Sequence, residues 1–169
     1  MADLLQRYQL LHGESEAARA ELARIKGAGK EVVVVSACLV GIACRHDGGH
    51  RKNETALAEL GDVEVLPLCP EVLARFGVPR LTITLSTDGK SAIDARGRDV
   101  TTELEAGVRL ADLFADLGGA KRALLKERSP SCGVHKVHGP DGIRDGKGRF
   151  AARLGKRGLP IVSEETKNC

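Results

Sequence analysis

At 169 residues the chain has room for one domain with a sizeable core, and too little for two. Its 42% hydrophobic and 29% charged residues are those of an ordinary soluble globular protein, and a net charge of +3 demands no polyanionic partner. With no Trp, one Tyr and three Phe, the core must be Leu, Val, Ile and Ala, and few flat side chains remain for stacking single-stranded nucleic acid.

Residues 2–26 read as helix in two pieces, with Leu4, Tyr8 and Leu11 on one face before Gly13, and Ala18, Leu22 and Ile25 after it. Ser15 is the expected N-cap of the second piece, and residues 27–30 a linker. We take 1–30 as a helical arm appended to an α/β domain over 31–169. "EVVVV" (31–35) is a β-branched run expected to be buried on both faces. It enters Ser36-Ala37-Cys38 and a charged, Gly-rich loop, after which Asn53 caps a helix carrying Ala56, Leu57 and Leu60.

"VEVLPLC" (63–69) predicts a second strand, residues 71–76 a helical turn, and "RLTITL" (80–85) an exposed or edge strand before a turn-rich stretch over 86–98. Thr102 and Glu105 suggest a capping box opening a helix to about Leu117, with Leu104, Val108, Ala111 and Ala115 on its buried face. "ALLKE" (123–127) predicts a third buried strand, then a long loop over 132–148, a helix from about Phe150, and a last strand in "LPIVSEE" (159–165). Strands alternating with helices indicate an α/β fold: a mainly parallel, Rossmann-like sheet with flanking helices in one compact domain, plus the N-terminal arm.

Ligands of such sheets bind beyond the carboxyl ends of the strands. Cys38, Cys69 and Cys132 each follow a predicted strand, so parallel strands bring three thiols to one edge. No stretch resembles a signal peptide and no apolar run reaches membrane-spanning length. The expected setting is therefore a reducing cytoplasm, where clustered thiols serve metals or catalysis more often than disulfides. Three thiolates suit a soft metal, and the C-x-x-C pairs usual for zinc are absent. On a [4Fe–4S] cluster three cysteines leave one iron open. Cys44 is expected to pack locally and Cys169, at the terminus, to be idle.

Polar groups crowd the same segments. "CRHDGGHRKN" (44–53) reads either as a solvated loop or as a recognition lip offering Arg45 and Asp47 to a substrate. Glu71 follows Cys69 by two residues, as a helix cap, as a proton-transfer group or as an auxiliary ligand to iron. Ser129 and Ser131 flank Pro130 ahead of Cys132, either bonding their own turn or serving a substrate. "KGRFAARLGKR" (147–157) ordinarily reads as a solvated helix face, an RNA contact being the lesser alternative.

Together, "VSACLVGIACRHDGGHRKN", "LPLCPEVL", "GVPR", "LLKERSPSCGVH" and "LPIVSEE" resemble a bacterial domain-of-unknown-function family whose characterised members are thiouracil desulfidases. The resemblance covers residues 31–165. Two departures are His46, where the family commonly has Tyr, and the lack of Gly-Gly-Leu after "CPE". The resemblance implies a [4Fe–4S] cluster on Cys38, Cys69 and Cys132, with Glu71 and Ser129 transferring protons. It implies non-redox hydrolysis of 2- or 4-thiouracil or thiouridine, the thio sulfur meeting the open iron while water attacks the ring carbon and sulfide leaves. The residues alone leave two alternatives open: a structural zinc module for nucleotide or RNA, and a persulfide carrier using a low-pKa cysteine.

Overall fold

The computed structural model describes residues 3–166. Cys169 lies outside them. The elements run α1 (Leu4–His12), α2 (Ser15–Lys26), β1 (Val32–Ser36), α3 (Glu54–Ala58), β2 (Glu64–Leu68), α4 (Pro70–Leu73), β3 (Ile83–Leu85) and β4 (Ala92–Asp94). They continue with α5 (Thr101–Leu117), β5 (Ala120–Leu125), β6 (Lys136–Gly139), β7 (Gly142–Asp145), α6 (Arg149–Lys156) and β8 (Ile161–Ser163).

Four strands form an all-parallel sheet in the order β2-β1-β5-β8. The valine run occupies its centre and is buried throughout, because alternate residues face different layers. Val32 and Val34 join Leu66, Leu68, Ala123 and Leu125 under α2, α5 and α6, where Leu22, Ile25, Leu104, Val108, Phe150 and Leu154 close the main core. Val33, Val35 and Leu124 face the opposite layer with Leu39, Ile42, Ala56 and Leu60. The register sets the functional edge. Ser36 pairs with Leu68, Val35 with Leu124, and Leu125 with Ser163, so β1, β2 and β5 end level, just before the cysteine-bearing segments.

Several local expectations are corrected. Ser15 is the first helical residue, and its N-cap, Glu14, makes no capping bond with its side chain. The Thr102–Glu105 capping box does not form. The helix already starts at Thr101, whose N–H goes to the Asp99 carboxylate (2.9 Å), and Glu105 is taken by Arg149. The stretch 86–98 contains β4, which pairs antiparallel with β3 in a sheet of its own. The loop over 132–148 contains the β6–β7 hairpin. The basic stretch 147–157 is largely a helix–helix seam: Arg149 pairs with Glu105, Arg153 with Asp112, and Arg157 with Asp112 and Asp116, all on α5.

The N-terminal helices are built into the core. Leu11, Ala18, Leu22 and Ile25 belong to the main buried cluster, and buried Arg7 bonds Glu21 (3.0 Å), Glu64 (2.7 Å) and the Val65 carbonyl (2.5 Å). Among the described residues no helix is long and apolar enough to cross a membrane.

Gly107 explains how α4 reaches its place. A β-carbon there would overlap the Pro70 carbonyl oxygen and the backbone of Ala74, so α5 and α4 touch through a position only glycine fits. Gly107→Ala is expected to push α4 outward and cost about 1–3 kcal/mol by overpacking, read as a lower urea midpoint. Because α4 starts beside Cys69 and carries Glu71, the same variant should also displace both side chains.

Candidate metal centre

A cavity of about 550 Å³ opens at the carboxyl edge of the parallel sheet, and Cys38, Cys44, Cys69 and Cys132 all line it. Each arrives by a different local device. Cys38 sits in the 3-10 turn Ala37–Val40 after β1, closed by Gly41 in the left-handed region (φ 93°). Cys69 is the N-cap of α4, where Pro70 suits the first helical turn. Cys132 follows a turn entered through Arg128, itself left-handed (φ 65°) and so a strained, non-glycine position. Glu127 holds that turn from behind. Its Oε1 accepts the N–H groups of Val134 (2.9 Å), His135 (2.9 Å) and Lys136 (2.8 Å).

The Glu127 clamp carries a pH signature. Burial opposes its ionisation, but the backbone amides and the Ser163 and His135 side chains outweigh it and hold its pKa at about 2, below the ordinary 4.5. A depressed carboxyl stabilises the fold fully above its unfolded pKa, and that stabilisation is lost as pH falls from about 4.5 through about 2. Glu127→Gln should flatten the acid limb of the stability curve in that window. Glu127→Ala strands buried amides and should cost on the order of 3 kcal/mol, measured by urea unfolding at neutral pH.

The four thiols differ in character. Cys44 lies in hydrogen-bond contact with both Cys38 and Cys69, and these contacts, then burial, push its pKa far up. Cys69 moves down: the Cys44 thiol stabilises its thiolate against burial, and Arg80 and the Val72 amide add to this. Burial raises Cys132, opposed by the Ser36 hydroxyl, whose oxygen also accepts the Lys126 N–H (2.9 Å). All four are free cysteines.

A hydrogen-bonded chain crosses the cavity floor. Ser131, 1% exposed, donates its hydroxyl to Glu71 Oε1 (2.7 Å), and Ser129 Oγ stands 3.1 Å from Ser131 Oγ. Since Ser131 spends its proton on Glu71, the Ser129 hydroxyl must donate to Ser131. Ser129 Oγ meanwhile accepts the N–H groups of Ser131 (3.2 Å) and Cys132 (3.0 Å). Glu71, 8% exposed, is ion-paired through Oε2 to Arg80 (2.8 Å), which also donates to the Cys44 carbonyl (2.9 Å). Arg45 lines the cavity. Asp47 does not: its exposed carboxylate holds Arg45 (3.2 Å) and the Gly49 amide (2.9 Å), and these hydrogen bonds lower its pKa.

The structure thus brings Cys38, Cys69, Cys132, Glu71, Ser129, Ser131 and Arg45 to one cavity and leaves Asp47 outside it. Ser131 does more than bond its own turn. Sequence reasoning missed Arg80, Ser36 and the placement of Cys44. Arg80 had one signal, its place at the end of "GVPR", one of the stretches that carry the resemblance.

The donor set has a definite fit. Among the described residues no three His, Cys, Asp or Glu side chains gather tightly enough to hold a single metal ion. A [4Fe–4S] cubane asks for something else: soft thiolates arriving from separate directions, each on its own iron, around room for the cluster. Three strand-end thiols on a cavity of about 550 Å³ meet that description, and a tetrahedral zinc site does not.

Fold and site together define an α/β protein with a thiol-lined reaction cavity at its sheet edge. Residues 33–166 match the 2-thiouracil desulfurase family, and the chain belongs to that family. It is 31% identical over 150 residues to YbbK of Bacillus subtilis (strain 168), an uncharacterised protein, spanning 81% of this chain and 98% of YbbK. The fold is similar to that of TudS, a [4Fe–4S]-dependent thiouracil desulfidase, with a TM-score of 0.71 and 34% identity over 80% of this chain and 92% of TudS.

Proposed function

We propose that Cys38, Cys69 and Cys132 hold a [4Fe–4S] cluster, and that the protein hydrolyses thiolated pyrimidines, 2- or 4-thiouracil or the corresponding thiouridine, to the oxo base and sulfide without net redox change. The observation that carries this reading is the convergence of three strand-end thiols and the Ser129–Ser131–Glu71 chain on one cavity. When bound, the cluster supplies a thiophilic acceptor for the exocyclic sulfur.

The protein's own part is positioning and proton transfer. Water replaces sulfur at the ring carbon, so both of its protons leave as the carbonyl forms and the departing sulfide takes up two. Ser129 Oγ, at the half-buried end of the chain, takes a proton from water as its own passes through Ser131 Oγ to Glu71 Oε1. Arg80 holds the Glu71 carboxylate in place. Arg45, steadied by Asp47, offers donors at the cavity wall to the pyrimidine carbonyl. A strong thiol–thiolate contrast at Cys44 and Cys69 also suits a persulfide carrier, but that role uses neither Glu71 nor the serine chain.

The test is turnover. Anaerobically reconstituted protein should release sulfide and uracil in equal amounts from 2- or 4-thiouracil, and the iron-free protein should release neither. Absence of turnover on every thiopyrimidine with a full complement of iron would overturn the assignment.

A further inference from the structure

We propose that α1, which precedes the family-matched region, is a working part of the metal site: His12 is a positioning residue for the backbone of Cys69. The inference rests on the reading of Cys69 as a cluster ligand. His12 Nδ1 lies 2.9 Å from the Tyr8 carbonyl oxygen, which can only accept, so Nδ1 carries the ring proton. Nε2 is then left with a lone pair, and it accepts the Cys69 N–H at 3.1 Å. Both ring nitrogens are engaged and the tautomer is fixed by its partners.

The ring is held rigidly. It stacks on Tyr8 with centroids 3.9 Å apart and planes at 29°. Leu11 is sunk in the core, and Arg7 ties α1 to Glu64 and to the Val65 carbonyl on β2, the strand that ends at Cys69. The Cys69 amide belongs to an N-cap residue and has no place in a helical ladder, so without His12 it loses its acceptor. Partners that orient metal ligands at one remove typically contribute 10–100-fold to metal retention.

The test uses the reconstituted full-length protein and measures the rate of iron release to a chelator without oxygen, beside the cluster's absorption and the urea midpoint. His12→Phe preserves ring, stacking and volume but accepts nothing. It should release iron roughly 10–100-fold faster. His12→Gln, whose amide oxygen falls near the Nε2 position, should restore the slow rate. A purely structural role would show rescue by Phe and not by Gln. If His12→Phe does not fold, His12→Met carries the test in its place, because it fills a similar volume and offers the Cys69 amide no nitrogen or oxygen acceptor; it too should release iron faster than the wild type. A wild-type release rate in the variant that lacks the acceptor, or His12→Gln no better than that variant, would overturn the inference. A wild type that assembles no cluster would instead overturn the proposed function, and the two failures are told apart by that control.

Discussion

Cys38→Ser, Cys69→Ser and Cys132→Ser are each expected to leave the reconstituted protein without a cluster, whereas Cys44→Ser keeps it. Serine offers a harder oxygen with a far higher pKa than a thiol, so it is a poor replacement for thiolate on iron. Each of the three also comes from a different strand end, so neither of the other two can take its place. Cys44 is the informative control. It faces the same cavity, yet it enters from the charged loop and not from a strand end. Iron and acid-labile sulfide per protein, measured after anaerobic reconstitution, separate the cases. If Cys44→Ser loses iron as completely as the other three, the site has four equal ligands and no open iron, and an electron-transfer role replaces the proposed hydrolysis.

Glu71→Gln, Ser129→Ala and Ser131→Ala should retain the cluster and lose turnover by ~10²–10⁴-fold, the usual contribution of a positioned acid or base. The two serines are links of one chain, so removing either should disable it, and the double variant should be little worse than either single one. Glu71→Gln carries a second expectation. It leaves Arg80 buried without its anion, so the fold weakens as well, by as much as about 3–5 kcal/mol when such a pair is broken. Rates must therefore be normalised to the cluster present in each preparation. Full activity in Ser131→Ala would mean that Ser129 works without the relay.

The parallel core was legible because its signals are strong and local. Five adjacent residues from Glu31 to Val35 can be little else than a central strand, and the cysteine after each apolar run marked the functional edge. The β6–β7 hairpin was not legible. Its strands are four residues each, and only Val137 and Gly139 are buried within them, too little to register as a hydrophobic pattern. The helix start at Thr101 was misplaced because Glu105 has a better partner in Arg149 than in a capping box, a tertiary preference invisible to local sequence.

The site divides in the same way. Thiols, carboxylate and serines stand in short motifs, and the fold gathers them at one cavity. Arg80 and His12 act across nine and fifty-seven residues of chain, and only the fold brings them to Glu71 and Cys69. The basic face of α6 shows the opposite error. Arg149, Arg153 and Arg157 look like free charge in sequence, yet each meets an acid on α5.

The most direct measurement of the central claim is Mössbauer spectroscopy of protein reconstituted with ⁵⁷Fe, before and after 4-thiouracil is added under anaerobic conditions. With Cys38, Cys69 and Cys132 as the only ligands, one iron of the four should change its isomer shift and quadrupole splitting on addition, and the other three should not. A spectrum that does not respond to the thiopyrimidine, or iron bound only as isolated ions, would contradict it.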